Sequence, residues 1–196
     1  MLSKNLAMVF QKLLVNELHI IQGKIPTHYI RDGKKSAILL LSGSVLLKRM
    51  TDDIIISEIK APFVFGIHEA IFNKTNLYIK PLSESVLKTV DFDLFYQNVP
   101  PEVMTNICAK LIDIYQIRDE SVICSSVYDC IKKCLEDINS LEGNEKYNIS
   151  IFGYIKERNK ISRSSISKVI RELERGGYIK TKRGKLLSLN KLPKKF

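Results

Sequence analysis

The sequence is poor in the residues and runs that define several large protein classes. Its 196 residues include only 9 glycines and 6 prolines, which excludes collagen-like and linker-like chains. The longest evident apolar run, residues 37–41, is far shorter than the roughly 18 residues that a membrane-spanning helix needs. Charged residues make up 27% and hydrophobic residues 45%, so a wholly disordered chain is excluded as well. The composition leaves a globular protein of one or two domains.

The motifs that enzymes and metalloproteins usually show are also missing. The sequence has no glycine-rich phosphate loop and no nucleophile elbow. Its three histidines, His19, His28 and His68, stand apart and share no metal-ligand spacing. We therefore expect a protein that is not an enzyme and that has no catalytic residues, no metal site and no cofactor.

Cysteine is scarce, and its spacing leaves two interpretations open. The four cysteines are Cys108, Cys124, Cys130 and Cys134, and none belongs to a C-x-x-C pair. A small core residue is the simpler interpretation of each cysteine. The alternative is that Cys124, Cys130 and Cys134 are redox-sensitive thiols, because the last two lie one helical turn apart and Cys124 lies at a break between two helical patterns.

The first 23 residues are apolar enough to suggest a signal peptide, but Lys12 interrupts them and no small-residue cleavage site follows. Their apolar positions instead follow the spacing of one helix face. These positions are Leu6, Val9, Phe10, Leu13 and Leu14. The pattern predicts a short amphipathic helix in a cytoplasmic protein that does not associate with membranes.

Positive charge is distributed very unevenly along the chain. Lysine and arginine number 31 and aspartate and glutamate 21, giving a net charge of +10. Residues 1–143 hold 16 basic and 17 acidic residues, whereas residues 144–196 hold 15 and 4. The entire excess therefore lies in the last quarter, which indicates either a solvated basic tail or a small module that binds a polyanion.

Residues 19–92 carry the pattern of short strands. β-Branched residues and leucine dominate the segments 38–41, 45–48, 54–59 and 86–90. Turn-forming residues separate these segments, including Gly43 and the pair Asp52-Asp53. Regularly spaced short strands predict a compact antiparallel roll or barrel.

A helical pattern begins at Pro100-Pro101. Apolar residues recur at helical spacing from Val103 to Val122 and include Ile112. Six of them are the candidate dimerisation residues: Met104, Ile107, Cys108, Leu111, Tyr115 and Val122. They predict about six turns of helix with one apolar seam. A closed β domain leaves little sheet for such a helix to cover, so we expect these six residues to pair with a second copy of the chain.

A second helix is predicted to begin at Ser126, whose hydroxyl and the carboxylate of Asp129 form a typical N-terminal capping pattern. The break near Cys124 then divides the chain. We predict a β-roll domain at residues 1–100, a dimerisation helix at 101–124 and a separate C-terminal domain at 125–196.

The basic quarter of the chain has its own order of elements. Residues 149–158 predict one helix, and Ser162 predicts the cap of another, whose apolar back is formed by Ile166, Val169, Ile170 and Leu173. Two strands follow, joined at Arg183-Gly184. Helix, turn, helix and hairpin is the order of a winged helix-turn-helix, whose second helix enters the major groove of double-stranded DNA.

Polar residues on the front of that helix and on the hairpin are the candidate DNA contacts, because arginine and serine can reach base edges and the basic residues of the hairpin suit phosphates. The helix supplies Ser162, Arg163, Ser164, Ser167, Lys168 and Arg171, and the hairpin supplies Lys180, Lys182, Arg183 and Lys185.

The segment from Ile161 to Ile179 resembles the recognition-helix signature of the cyclic-AMP receptor protein and FNR superfamily (CRP/FNR) of transcription regulators. The stretch 38–45 resembles a strand-glycine-strand segment of the β-roll of that superfamily, and the stretch 61–66 resembles one of its turns. Segments 61–66, 126–129 and 184–193 resemble more closely an enterobacterial group, IprA/YaiV, named for inhibition of hydrogen-peroxide resistance. The resemblance implies an α+β fold with a cyclic-nucleotide-binding-like β-roll, a dimerisation helix and a winged helix-turn-helix, and control of oxidative-stress or virulence genes.

One departure from the superfamily pattern is important for function. Cyclic-nucleotide binders hold the cyclic phosphate with an arginine and a neighbouring hydroxyl, but no arginine occurs between Arg49 and Arg118 here. Without a bidentate guanidinium the phosphate clamp is missing, so we expect no cyclic-AMP binding.

The favoured function is a homodimeric, sequence-specific DNA-binding transcription regulator. RNA polymerase is a further candidate partner. Two alternatives remain open: a thiol-based redox-sensing regulator, and a ligand-free β-roll that serves only as an interaction scaffold.

Overall fold

The computed structural model describes residues 6, 8–10, 25–26, 29–31, 34–74, 76–82, 84–122, 126–141 and 144–194. Ten strands are present in these residues: β1 Ile25–Pro26, β2 Tyr29–Arg31, β3 Lys34–Ser42, β4 Ser44–Arg49, β5 Ile55–Lys60, β6 Phe63–Phe65, β7 Leu77–Pro81, β8 Val86–Asp91, β9 Ile179–Lys182 and β10 Lys185–Leu189. The α-helices are α1 Ile67–Phe72, α2 Phe92–Asn98, α3 Pro101–Val122, α4 Val127–Asn139, α5 Ile151–Arg158 and α6 Arg163–Arg175, and a 3-10 turn spans Glu145–Asn148.

The described chain forms two compact units, and the division falls within α3, between Gln116 and Ile117. The N-terminal unit contains all strands up to β8. The domain boundary that the sequence predicts near residue 124 lies outside the described residues and stays a prediction.

Two antiparallel sheets form the N-terminal unit. One sheet has the order β1-β7-β4-β5, and in the other β3 pairs with β2 and β6 along one edge and with β8 along the other. Both faces of β3 are buried, because Ile38 and Leu40 pack with the other sheet whereas Ala37 and Leu39 pack with helical residues. This arrangement confirms the predicted antiparallel roll.

The four predicted strands are present as β3, β4, β5 and β8, whereas β1, β2, β6 and β7 were not predicted. The resemblance implied a turn over the whole segment 61–66, whereas Phe63, Val64 and Phe65 form β6 and are all buried. Only the ends of the segment turn, including Gly66, which adopts a left-handed conformation (φ 90°) before α1.

The predicted long helix is α3, with 22 residues. Contrary to the expectation that it has little sheet to cover, its first half packs against the roll, where Val103 and Ile107 join a core cluster with Leu39 and Phe95. Ile107 is 0% exposed within one chain. Its side chain therefore cannot contact a second copy, contrary to the expectation from the sequence. The N-terminal residues Leu6, Val9 and Phe10 are buried in the same cluster, as their helical spacing suggested.

The C-terminal unit follows the predicted order of elements. The helices α4, α5 and α6 and the hairpin β9–β10 enclose one apolar cluster that includes Ile131, Leu135, Ile155, Ile166 and Leu186. The fold is therefore α+β, with a β-roll, a long helix and a winged helix-turn-helix. No helix in the described part of the chain has the length and apolarity that crossing a membrane requires.

Candidate nucleic-acid interface

Helix α6 begins at a well-defined cap. The hydroxyl oxygen of Ser162 accepts a hydrogen bond from the backbone N–H of Ser165 at 3.1 Å, as the sequence predicted. The same oxygen lies 3.0 Å from the hydroxyl of Ser164 and 2.8 Å from that of Ser165. Much of the hydrogen-bonding capacity of Ser162 is therefore used within the protein.

The two sides of α6 differ sharply in burial. Ile166 and Leu173 are 0% exposed and Ile170 is 8% exposed, so this side is held by the core. On the other side Arg163, Ser164, Lys168 and Arg171 are exposed and Ser167 is half-buried. The helix thus presents a basic, hydroxyl-bearing surface on a rigid support, which is what contact with base edges requires.

The acidic residues on the last turn of α6 interact with side chains of the same C-terminal unit. Arg175 forms an ion pair with Glu172, with 2.6 Å between Nη2 and Oε2, and the hydroxyl of Thr181 donates to the carboxylate of Glu174. Both carboxylates are thus engaged by neighbouring side chains.

Aromatic rings contact two arginines of the unit. The guanidinium carbon of Arg163 lies 5.8 Å from the centroid of the Phe152 ring, and that of Arg158 lies 3.6 Å from the Tyr154 ring. Neither contact was predicted from the sequence. Tyr154 and Arg158 are one turn apart on α5, whereas Phe152 and Arg163 meet across the turn between α5 and α6, which spacing within one helix does not show.

The hairpin is closed by Arg183 (φ 51°) and Gly184 (φ 74°), both left-handed, as expected for a two-residue turn that follows the strand twist. The carbonyl of Gly184 accepts a hydrogen bond from the backbone N–H of Ile151 at 2.9 Å, which ties the turn to the start of α5. Lys180, Lys182 and Arg183 are exposed and Lys185 is half-buried. The hairpin therefore adds a second basic surface at a fixed position.

The three cysteines that the structure describes differ in their burial. Cys134 is buried, and its sulfur accepts a hydrogen bond from the side-chain amide of Asn159 at 3.3 Å. Cys130 is half-buried and Cys108 exposed, whereas Cys124 lies outside the described residues. Within the described ranges, no three His, Cys, Asp or Glu residues are grouped so that they could hold a metal ion.

The N-terminal unit contains an apolar cavity of about 450 Å³ between α1, α3 and the strands β4 and β6. Leu47, Phe65, Ile71, Leu111 and Tyr115 are among its lining residues. The charged or titratable groups among the described residues that line it are His68, Glu69, Cys108 and Tyr115. Partial burial, and secondarily the nearby carboxylate of Glu69, raise the pKa of Tyr115.

Comparison with known proteins agrees with this description. Residues 127–194 match a family of winged helix-turn-helix DNA-binding domains. The fold is similar to that of the c-di-GMP-responsive global regulator CLP of Xanthomonas campestris (TM-score 0.71, 15% identity, covering 95% of this chain and 100% of that one). It is also similar to that of a CRP/FNR-family transcriptional regulator of Thermus thermophilus (TM-score 0.57, 18% identity, covering 88% and 94%).

The chain therefore has the fold of the CRP/FNR transcription regulators, a β-roll of the cyclic-nucleotide-binding type followed by a winged helix-turn-helix DNA-binding domain. In sequence it is similar to the inhibitor of hydrogen peroxide resistance of Salmonella typhimurium, with 29% identity over 165 residues, 81% of this chain and 78% of the relative. Both resemblances predicted from the sequence are confirmed.

Proposed function

We propose that the chain is a homodimeric, cytoplasmic transcription regulator that binds specific DNA sequences without cyclic AMP. The observation that carries the proposal is the exposed basic side of α6, supported on its other side by the core of a winged helix-turn-helix. A helix of this kind fits the major groove, where residues near its N-terminus reach base edges.

The contacts divide by chemistry into base readers and phosphate binders. Arg163, Ser164, Ser167, Lys168 and Arg171 of α6 are exposed or half-buried and are the proposed base readers, with Ser162 beside them acting chiefly as the cap. Lys180, Lys182, Arg183 and Lys185 of the hairpin are the proposed phosphate contacts, which set affinity rather than sequence preference.

The two classes of contact are distinguished by binding measurements on a set of duplexes that differ at single base pairs. Arg163→Ala is expected to cost roughly 1–3 kcal/mol and to relax the preference at one base pair. Lys182→Ala should weaken all sequences about equally and reduce the slope of log affinity against log salt by about 1. If Arg163→Ala also weakened every sequence equally, Arg163 would be a phosphate contact instead.

Dimerisation is proposed to use the side of α3 that the roll leaves uncovered. Ile112 is 58% exposed and Tyr115 50% exposed, and the exposed Cys108 lies beside them on the helix. Met104 and Leu111 are half-buried at the edge of this surface, and Val122 belongs to the prediction from the sequence. A second copy with its recognition helix one turn of DNA away would read a near-palindromic site.

Independence from cyclic AMP is supported by the chemistry of the apolar cavity. Its described lining contains no lysine or arginine, whereas Glu69 contributes a carboxylate that repels a phosphate. We expect titration calorimetry with cyclic AMP to show no binding, and a micromolar affinity would contradict this part of the proposal.

A role in oxidative-stress control is proposed from the name of the Salmonella relative. In the redox-sensing alternative, Cys124, Cys130 and Cys134 would react with oxidant. The burial of Cys134 argues against its direct reaction. Replacing all four cysteines by serine and measuring DNA binding before and after peroxide treatment distinguishes the alternatives, because an unchanged peroxide response would exclude a thiol sensor.

A further inference from the structure

The side chain of Arg163 lies at the position from which a winged helix reads base edges, at the first residue of α6. Its guanidinium carbon is 5.8 Å from the centroid of the Phe152 ring, although Phe152 belongs to the preceding helix. Arg163 is exposed, and Phe152 is half-buried against the core of the C-terminal unit. The ring is therefore the fixed partner and the arginine the mobile one.

Phe152 is held from several directions. Its neighbours on α5, Ile151 and Ile155, are 1% and 0% exposed. The hydroxyl of Ser150 accepts from the N–H of Gly153 at 3.3 Å, and the N–H of Ile151 donates to the carbonyl of Gly184 in the hairpin turn. The start of α5 is thus tied both to its own cap and to the hairpin, which fixes the backbone that carries the Phe152 ring.

A fixed ring next to a flexible cation restricts the cation. A guanidinium within about 6 Å of a ring centroid is attracted by the negative face of the ring. An exposed arginine otherwise samples many rotamers, whereas bidentate contact with guanine O6 and N7 requires a single orientation of its planar group. Holding that orientation before DNA arrives lowers the entropy that binding must overcome.

We propose that Phe152 is a positioning residue for Arg163, and that its ring sets the base preference of the protein without touching DNA. The inference rests on the proposed role of Arg163 in reading a base. It assigns part of the sequence specificity to a residue of α5, behind the helix that enters the groove.

The chain offers a matched control on the same helix. Tyr154 also contacts an arginine, Arg158, with 3.6 Å between guanidinium carbon and ring centroid, and Arg158 Nη1 lies 3.5 Å from the Tyr154 carbonyl oxygen. Arg158 lies outside α6. Loss of the Tyr154 ring should therefore leave the base preference unchanged if the effect of Phe152 depends on Arg163.

The experiment uses the full chain and the duplex that the wild type selects from a random pool, together with variants changed at the base pair that Arg163→Ala affects. Phe152→Leu is expected to reduce the preference at that base pair by about 2- to 5-fold. Phe152→Tyr, which keeps the ring, and Tyr154→Leu should both retain it. In the Arg163→Ala background, Phe152→Leu should cause no further loss of preference.

Two results would overturn the inference alone: an unchanged preference in Phe152→Leu, or the same loss with and without Arg163. If Phe152→Leu weakens binding to all duplexes equally, the preference is unchanged and the role of the ring is purely structural. If the leucine variant melts too low to assay, Phe152→Met replaces it. Failure of the wild type to select any sequence would remove the proposed function itself, together with this inference.

Discussion

Ser162 shows how a single hydroxyl can serve folding at a surface that we propose for DNA. Its oxygen caps α6 and lies within hydrogen-bonding distance of the hydroxyls of Ser164 and Ser165. Stability and DNA affinity can therefore be separated at this one position by the choice of side chain.

Ser162→Ala removes the cap and should lower the free energy of unfolding by about 1 kcal/mol, measured by urea denaturation. Ser162→Asn and Ser162→Asp both preserve a cap acceptor and should retain stability. Ser162→Asp alone should lose DNA affinity, because its negative charge faces phosphates. Equal DNA binding by the Asn and Asp variants would show that this end of α6 does not approach DNA.

Asp137 on α4 couples the stability of the C-terminal unit to pH. Burial raises the pKa of its carboxyl above the usual 3.8, although the cations of Lys133 and Arg158 oppose the shift. A raised folded-state pKa means that the protonated carboxyl favours the folded state. This contribution is complete below the unfolded pKa and is lost as the pH rises through the folded pKa.

Asp137→Asn mimics the protonated form and should be more stable than the wild type at neutral pH. The difference should shrink as the pH falls below the raised pKa, because the wild-type carboxyl is then neutral too. Urea denaturation of both proteins, from neutral pH to below the raised pKa of Asp137, measures this difference in stability. A less stable asparagine variant at neutral pH would show that the contacts with Lys133 and Arg158 outweigh burial.

At the scale of elements, two glycines of the C-terminal unit differ in backbone conformation, one in the hairpin turn and one in helix α5. Gly184 has φ 74° with open space where a Cβ would be, whereas Gly153 lies within α5, where a Cβ would be 3.5 Å from that of Ser150. The first position requires left-handed backbone and the second does not.

Gly184→Ala should therefore destabilise the C-terminal unit by about 1–2 kcal/mol through backbone strain alone. Gly153→Ala should stabilise it by roughly 0.5–1 kcal/mol, because alanine loses less conformational freedom in a helix. Thermal unfolding of the two variants measures both effects. Stabilisation by Gly184→Ala would contradict the turn geometry.

The uncovered side of α3 supplies the second prediction at this scale. Ile112→Lys should shift the chain from dimer to monomer in sedimentation equilibrium, because it places a charge in an apolar interface. Asn106→Lys is the control, since Asn106 is six residues before Ile112 and therefore lies on a different side of the same helix. Dissociation by both variants, or by neither, would contradict the proposed surface.

Elements of the C-terminal unit could be predicted from the sequence because their signals are local. Ser126 and Ser162 cap helices as their neighbours indicate, and Arg183-Gly184 closes the hairpin. Strand β6 escaped prediction because three successive buried residues carry no alternation. The burial of Ile107 and the Phe152–Arg163 contact depend on tertiary packing, which spacing within one helix does not contain.

At the scale of the whole molecule, the charge distribution and the fold both indicate that the proposed DNA partner binds the C-terminal unit. The near-neutral residues 1–143 include the roll and α3, and the strongly basic residues 144–196 include α5, α6 and the hairpin. Phosphate contacts release counterions, so affinity for DNA should fall steeply as salt rises. Sequence preference, in contrast, should depend on the few residues at the start of α6.

The most direct test of the central claim is selection of bound sequences from a pool of random DNA duplexes, with the wild-type chain and with Arg163→Ala. We expect the wild type to enrich a near-palindromic site whose half-sites lie about one helical turn, 10–10.5 base pairs, apart. Arg163→Ala should lose the preference at one base pair of each half-site and keep the others. Enrichment of no sequence by the wild type, with binding that depends on salt alone, would contradict the account.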